Sequence, residues 1–446
     1  MTLLTGSRTP PLISGGRFIG NLGEFMRDPV ALMRRGQREQ GPVFTVRMGP
    51  RRAAVVVGPA ESKAAIAQPE TVLAVAPVYQ WLRPMFGAVM QAADHEVYLR
   101  QRDALMPAFR SHHHDAYLTA MAAEVRAWLG RLGTEGTFDI GTELDDVSMR
   151  IAMRIFLGPE FEPYRPRFRR LFTDIAAGME FFLPANAPLP RLIRRNRARR
   201  EAFELMRPYL ERVRQDPDPE RYGFLGHLVR STASEPMDDE TLGGLIMILV
   251  YAAYETTSAQ TGWALVLLLQ HPAIARRVRD EVCDLLPGPV DVVEDDDLAP
   301  LRRAGELSRC LLEAQRLRPV TTMLTRQTAT AYRVGDFTVP AGWQTLFCPP
   351  VTHRDEDLYP DPDRFDPGRF APDRDAGGVA RSGLLNQGGG LHACLGTRFA
   401  ELEMGTILGL LTRCHDLELM TPEPAAAPGL GIMRLAPTTV GYHQRF

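Results

Sequence analysis

Residues 387–405 read QGGGLHACLGTRFAELEMG. Three consecutive glycines precede Cys394, and Gly396 follows it where an amphipathic helical pattern begins. Glycine lets the backbone turn close to a flat ligand, and a helix N-terminus directed at the sulfur favours a thiolate. The stretch therefore indicates a cysteine that ligates a metal through its thiolate, and the alternative is a structural cysteine in a glycine-rich turn.

A long apolar helix is predicted upstream, over residues 241–270. It follows an acidic start, Asp238-Asp239-Glu240, and ends at His271-Pro272. At 1.5 Å per residue its length is about 45 Å. It is apolar nearly all round, and such a helix is expected inside the core of one large domain.

The rest of the chain is mostly helical, with short strands near both ends. We predict helices at 112–132, 143–157 and 201–214 from their apolar spacing. Strands are predicted at 43–48, 53–57 and 343–347, with a hairpin at 332–339. The fold class is therefore mainly α (α+β), with residues 1–446 expected to form one domain.

Composition excludes several classes of protein. The chain has 446 residues, 45% of them hydrophobic, and a net charge of −2, which does not favour nucleic acid or an anionic membrane as a partner. The five cysteines are scattered and include no CxxC pair. The N-terminal residues contain no stretch that would cross a bilayer, so we expect a soluble cytoplasmic protein. We also expect it to be a monomer.

Two further motifs are found upstream of the cysteine loop. Glu313 and Arg316 lie three positions apart on a predicted helix, where they can pair, although the same spacing elsewhere indicates only a solvated helix face. Inside the long helix, the Thr256 hydroxyl can bond the carbonyl of Ala252 and open the helix locally. Glu255 and Thr256 could then relay protons. The alternative for this second motif is an ordinary polar step in a buried helix.

The ordered set of motifs resembles the cytochrome P-450 family over nearly the whole chain. Gly390, His392, Cys394 and Gly396 match the loop F-x-x-G-x-[R/H]-x-C-x-G, whereas Gln387 stands where the family usually has Phe. The resemblance implies haem b bound through the Cys394 thiolate, with His392 on a haem propionate. It also implies that O2 is activated, because a thiolate ligand favours O–O cleavage.

The same resemblance implies roles for the upstream motifs. Glu313 and Arg316 would form a structural triad with an arginine of the coil 359–373, and Arg369 is chosen over Arg364. A carboxylate paired with arginines can hold irregular coil in one geometry.

Residues 252–257 resemble the oxygen-activation segment of the family, with Glu255 and Thr256 as catalytic residues. Ala253 replaces the usual Gly.

Haem propionates need cationic or polar partners. By resemblance these are Arg102, with Tyr98 as a weaker candidate, and Arg326 before the hairpin. A solvated arginine is the alternative for each.

A narrower resemblance concerns the substrate loop. Residues 79–87 read YQWLRPMFG, similar to a signature of sterol 14α-demethylases, but that group has His where this chain has Glu255. A related bacterial-type enzyme is therefore expected rather than a sterol demethylase. We predict an apolar pocket, and we expect about half of its candidate residues to line the site and the others to belong to the core. The candidates are Tyr79, Trp81, Met85, Phe86, Met90, Phe181, Met247, Tyr251, Met323 and Ile432.

Together these motifs predict a monooxygenase that hydroxylates or epoxidises a terpenoid, polyketide, steroid or fatty compound in secondary metabolism. Electrons are expected from NAD(P)H through a ferredoxin reductase and a ferredoxin, which would dock near Arg100, Arg110 and Arg398. The alternatives are a haem-thiolate isomerase or lyase that needs no external electrons, and a non-catalytic haem or ligand-binding protein.

Overall fold

The structure is a computed structural model that describes residues 8–110, 113–180, 183–288, 295–428 and 431–445. Within them the α-helices are α1 (Leu22–Arg27), α2 (Pro29–Gln40), α3 (Pro59–Ile66), α4 (Arg83–Phe86), α5 (His95–Leu105), α6 (His114–Leu132), α7 (Ile140–Leu157), α8 (Arg165–Ala177), α9 (Pro190–Gln215), α10 (Pro219–Ser231), α11 (Asp239–Gln270), α12 (Pro272–Leu285), α13 (Gly305–Leu317), α14 (Pro349–Thr352), α15 (Val379–Ser382) and α16 (Thr397–Cys414).

Backbone contacts divide the chain into two compact units. Unit 1 takes the described residues of Met1–Val75, Leu129–Leu144 and Ser258–Phe446, and unit 2 takes those of Ala76–Trp128 and Asp145–Thr257. Three helices, α6, α7 and α11, have residues in both units. The expectation of a single domain stays a prediction.

Unit 1 contains the strands, which are β1 (Val43–Met48), β2 (Arg51–Val56), β3 (Leu73–Ala74), β4 (Glu135–Asp139), β5 (Leu324–Thr328), β6 (Tyr332–Val334), β7 (Phe337–Val339), β8 (Gln344–Phe347), β9 (His415–Leu419) and β10 (Thr439–Gln444). Five of them form a sheet in the order β1-β2-β8-β5-β3. A second sheet has the order β4-β10-β9, and β6 pairs with β7.

The larger sheet is buried on both faces. Its β1–β2 hairpin pairs Val43 with Val56, and β2 continues parallel to β8. Helix α2 packs so closely on it that a Cβ at Gly36 would lie 2.2 Å from the Phe44 ring. Only glycine fits there, because that contact is far shorter than van der Waals distance.

Unit 2 is helical and is filled by aromatic side chains. The ring of Phe161 lies 5.3 Å from that of Phe168 and 5.0 Å from that of Tyr209, both nearly perpendicular to it. The Tyr209 hydroxyl donates to the Leu157 carbonyl. Edge-to-face rings of this kind stabilise a core beyond the area that they bury.

Helix α11 has 32 residues and begins at Asp239. The Asp238 carboxylate accepts from the Thr241 backbone N–H at 2.7 Å and from the Thr241 hydroxyl at 3.0 Å, which caps the helix. These bonds lower the pKa of Asp238. Among the described residues α11 is the one helix long and apolar enough to span a membrane, but 72% of its most apolar window is buried, as in a core helix.

Most predicted elements are confirmed. Strand β1 has the predicted bounds, and Gly335, with a φ of 54°, turns the predicted hairpin. The helix predicted at 201–214 is too short, because α9 begins at Pro190 and continues through an arginine-rich stretch that interrupts the apolar spacing. Residue 112, at the start of another predicted helix, lies outside the described residues.

Candidate functional site

The cysteine loop is a tight turn in unit 1. The Cys394 backbone N–H donates to the Gln387 carbonyl at 2.9 Å and closes the loop. Gly390 has a φ of +62°, and a Cβ there would lie 3.1 Å from the Ile66 carbonyl oxygen. Both the conformation and the close approach therefore require glycine at this position.

The Cys394 side chain is solvent-accessible but surrounded by protein atoms. Desolvation raises the pKa of the thiol, and hydrogen bonds from the Gly396 backbone N–H and the Thr397 side chain oppose this shift. Without a bound cation the sulfur thus stays protonated near neutral pH. A metal ion at the sulfur would hold it as a thiolate.

His392 lies next to a carboxylate that sequence reasoning missed. Its Nε2 is 2.6 Å from Glu70 Oε2, and both side chains are about nine-tenths buried. Glu70 Oε1 accepts from the Val75 backbone N–H at 2.7 Å. The pair joins positions 322 residues apart, and no local sequence pattern predicts such a contact.

Glu313, Arg316 and Arg369 are brought together in the interior of unit 1. Arg316 donates through Nε to Glu313 Oε2 at 2.7 Å and through Nη2 to Oε1 at 2.9 Å. Arg369 Nε donates to Oε1 at 3.0 Å, and so does the Asp366 backbone N–H. The exposed fractions of the three side chains are 0%, 0% and 5%.

The second guanidinium edge of Arg316 holds irregular coil. Its Nη1 donates to the carbonyls of His353, at 2.9 Å, and Pro362, at 2.7 Å. Arg364, the alternative third arginine, is exposed and contributes only its backbone carbonyl, 3.2 Å from Arg316 Nη2.

The burial of helix α11 is interrupted at residues 252–256, which form a solvent-accessible window in a continuous helix. Ala252 is exposed and Thr256 is half-buried, although the helix is buried on either side. The Thr256 hydroxyl donates to the Ala252 carbonyl at 2.8 Å. Burial, and next the Glu255 carboxylate, raise the pKa of the adjacent Tyr254 phenol, so this phenol stays neutral.

The other three predicted propionate partners, besides His392, differ in their surroundings. Arg102, on α5, has a buried Nη1 without a hydrogen-bond partner among the described residues. Tyr98 is 3% exposed. Arg326, on β5, is 5% exposed and donates through Nη1 to the Thr325 carbonyl at 3.0 Å. An unsatisfied buried guanidinium is costly, and a carboxylate ligand would satisfy it.

The predicted substrate residues of unit 2 fall into two groups. Met85, Phe86 and Met247 are fully buried, as core residues are, and Met90 is 6% exposed. Tyr79, Trp81 and Tyr251 are half-buried. The Tyr251 ring centroid lies 5.5 Å from that of Phe86, and those of Tyr79 and Trp81 are 6.3 Å apart.

Met90 has a strained backbone, with a φ of 46°. Its N–H donates to the side chain of Gln101, at 2.6 Å, and sequence reasoning missed this buried residue. Non-glycine residues with positive φ are uncommon, and they cluster at ligand sites.

In unit 1, Ile432 packs against a cluster with Trp263 and Val320, and Met323 packs against the sheet. Both are half-buried. Phe181 lies outside the described residues.

Other features of the described residues do not resemble an apolar or multi-ligand site. A cleft of about 380 Å³ in unit 2 is lined largely by charged side chains and by none of the predicted substrate residues. Within the described ranges, no group of three or more His, Cys, Asp or Glu side chains could hold a metal ion.

The chain is similar to known proteins over nearly its whole length. A family model described as Cytochrome P450 matches residues 10–438. An obtusifoliol 14-alpha demethylase of Triticum aestivum is 29% identical and a sterol 14alpha-demethylase of Mycolicibacterium vanbaalenii 25% identical, each over 94% of both chains. A structure of retinoic acid bound cyanobacterial CYP120A1 is 25% identical, with a TM-score of 0.83 over 99% of this chain and 100% of that one.

The two candidate third arginines provide a matched pair of substitutions. Arg369→Ala is expected to lower the free energy of unfolding by about 3 kcal/mol or more, because the buried Glu313 loses a charged partner. Arg364→Ala should change it by less than about 0.5 kcal/mol, since that side chain is exposed. Chemical denaturation measures both, and equal losses would contradict this assignment.

His353 makes stability depend on pH. Burial, and next the charge of Arg316, lower the pKa of His353 from 6.5 to about 3, and its Nε2 accepts from the Leu385 N–H at 2.9 Å. Between these two pH values the unfolded chain binds a proton that the folded chain excludes. Stability should therefore fall as pH drops below 6.5, by up to about 1.4 kcal/mol per pH unit.

Urea denaturation at several pH values, with His353→Gln and the exposed control His95→Gln, measures this contribution. We expect the free energy of unfolding to fall less steeply with decreasing pH only in His353→Gln. Parallel declines in all three proteins would exclude His353 as the source.

Proposed function

Because the chain belongs to the cytochrome P450 family and is a haem monooxygenase, we propose that Cys394 binds the haem iron and that the substrate is an apolar small molecule. The observation that supports this proposal most directly is the loop itself. An accessible sulfur receives the Gly396 N–H, and it follows a turn in which Gly390 is required by its positive φ and by the close approach of the Ile66 carbonyl.

Each unit, taken by itself, contains polar or cationic side chains that could bind a haem propionate. Arg102 has a buried donor without a partner among the described residues, and Arg326 is a nearly buried cation on β5. We assign both to propionates, together with His392 and, less directly, Tyr98. The Glu70 carboxylate would orient the His392 ring. Haem bound through a cysteine thiolate supplies the oxygen-activating chemistry.

Thr256 and Glu255 are proposed to deliver protons during oxygen activation. The Thr256 hydroxyl uses its proton for the Ala252 carbonyl, so its oxygen can accept from a water molecule in the window. The half-buried Glu255 carboxylate is next to it in sequence and can supply protons from solvent. The methyl group of Ala253 narrows the space beside these groups.

The substrate is proposed to be a terpenoid, polyketide, steroid or fatty compound, hydroxylated or epoxidised in secondary metabolism. Support comes from the half-buried aromatic side chains of Tyr79, Trp81 and Tyr251 and from relatives named for sterols. At these identities the sterol names do not transfer directly. Glu255, in place of the His of sterol demethylases, favours another apolar substrate.

Electrons are proposed to come from NAD(P)H through a ferredoxin reductase and a ferredoxin, for a monomeric, single-domain enzyme in the cytoplasm. The exposed Arg100 and Arg110 would attract an acidic partner. Arg398 is also exposed but already bonds Glu401 at 2.7 Å, so its charge is partly compensated. Glu255 and Thr256 favour this function over an isomerase or a non-catalytic protein.

Replacing Cys394 by Ala should abolish the reduced carbon monoxide absorption band that gives the family its name, because the thiolate ligand is lost. The half-buried Cys283 provides the control, and Cys283→Ala should retain the band. Persistence of the band in Cys394→Ala would overturn the ligand assignment.

Apolar ligands should displace water from the iron and shift its absorption spectrum. Among terpenoid, polyketide, steroid and fatty acid panels, we expect Tyr251→Ala to weaken the binding of the best ligand about tenfold, since it removes a large apolar contact. Phe203→Ala, a half-buried aromatic in the charged cleft, is the control. Equal effects of both substitutions would contradict the placement of the pocket.

A further inference from the structure

Gln315 is a buried amide at a place where an apolar side chain would pack. It lies on α13 between Glu313 and Arg316, and it is 2% exposed. Its Oε1 accepts from Asn386 Nδ2 at 3.0 Å and from Gln387 Nε2 at 3.2 Å. Asn386 and Gln387, the two residues just before the three glycines, therefore converge on one oxygen atom of this helix.

Gln315 is connected to Cys394 by two hydrogen bonds that share one intermediate residue, Gln387. The Gln387 side chain bonds Gln315, and the Gln387 carbonyl accepts from the Cys394 N–H at 2.9 Å. The opposite end of the path is fixed, because α13 also contains the buried Glu313–Arg316 pair. A displacement of Gln387 would move the backbone that orients the sulfur.

The amide cluster is not explained by stability alone. Gln315 Nε2 and Asn386 Oδ1 are buried and have no partner among the described residues. Each such group costs free energy, and an apolar pair of similar shape would avoid that cost. The presence of buried amides here therefore needs a reason other than stability, such as holding the backbone at Gln387 in one geometry.

We propose that Gln315 is a positioning residue for Cys394 and acts through Gln387. The proposal rests on the assignment of Cys394 as the haem ligand. The aromatic residue that the family usually has at position 387 could not donate to Gln315. Hydrogen bonding to the helix thus replaces aromatic packing in this chain, and outer partners of this kind control how firmly a ligand is held.

The test compares Gln315→Leu with wild type as purified holoprotein. Hydrogen exchange of the Cys394 amide should become roughly fivefold faster, because its acceptor Gln387 is no longer fixed. The thiolate-specific band of the reduced carbon monoxide complex should be lost roughly tenfold faster on standing. The double variant Gln315→Leu/Gln387→Phe should recover part of this loss, since an apolar pair leaves fewer unmatched amides.

A matched control separates positioning from general stability. Asn21 is also a buried amide of unit 1 and joins two segments, bonding the Ser14 carbonyl at 2.7 Å and the Arg47 N–H at 3.1 Å. Asn21→Leu should lower the melting temperature without changing the rate at which the thiolate-specific band is lost. If Gln315→Leu behaves in the same way, the proposal is wrong.

The remaining outcomes are also decisive. Should Gln315→Leu fail to fold, Gln387→Leu removes only the loop amide and must show the same faster loss of the band. If Gln387→Leu leaves the rate unchanged, the proposal fails. Absence of the band in wild type would instead contradict the haem assignment, which distinguishes that failure from this one.

Discussion

The coil that precedes the cysteine loop is organised around one carboxylate that is shielded from water. Glu313 accepts from Arg316, Arg369 and the Asp366 backbone N–H, so its charge is compensated inside unit 1. Arg316 then uses its other donors for carbonyls of the coil. Breaking a buried pair of this kind is costly because it leaves an uncompensated charge, so the coil has one favourable geometry. The proposed assignment of Cys394 as the haem ligand requires a rigid coil, since one side chain would then fix the position of the metal.

The same region also contains polar groups that add no evident stability. His353 is held neutral by burial while it accepts the Leu385 N–H at the start of the loop. Gln315 binds the next two residues. Helix α13 and the segment after β8 thus contact the loop through hydrogen bonds at three successive positions, 385 to 387. Hydrogen bonds are directional, whereas apolar packing tolerates small shifts, so this arrangement favours orientation of the loop over maximal stability.

Sequence reasoning predicted the parts of the molecule that are local. The apolar run of α11, its acidic start and the hairpin at Gly335 all depend on spacing within a few turns, and all three are confirmed. The cysteine loop was predicted from its glycines for the same reason, and its role as a ligand site stays a prediction. The Glu70–His392 pair could not be found, because charged residues are common and nothing local selects one partner 322 positions away. Gln315 was missed because a lone amide on a helix has no pattern.

The accessible window on α11 constrains how substrate specificity is encoded. Ala252 is exposed and Thr256 half-buried in the middle of a helix that is buried elsewhere, so this surface is available to a ligand. Glu255, at the same level, is a half-buried ionisable group. A charged side chain beside an apolar ligand is unfavourable unless water solvates it, and the half-buried state of Glu255 allows that. We propose that Glu255 and Thr256 set the chemistry at this window, and that the aromatic residues around Tyr251 select among apolar substrates.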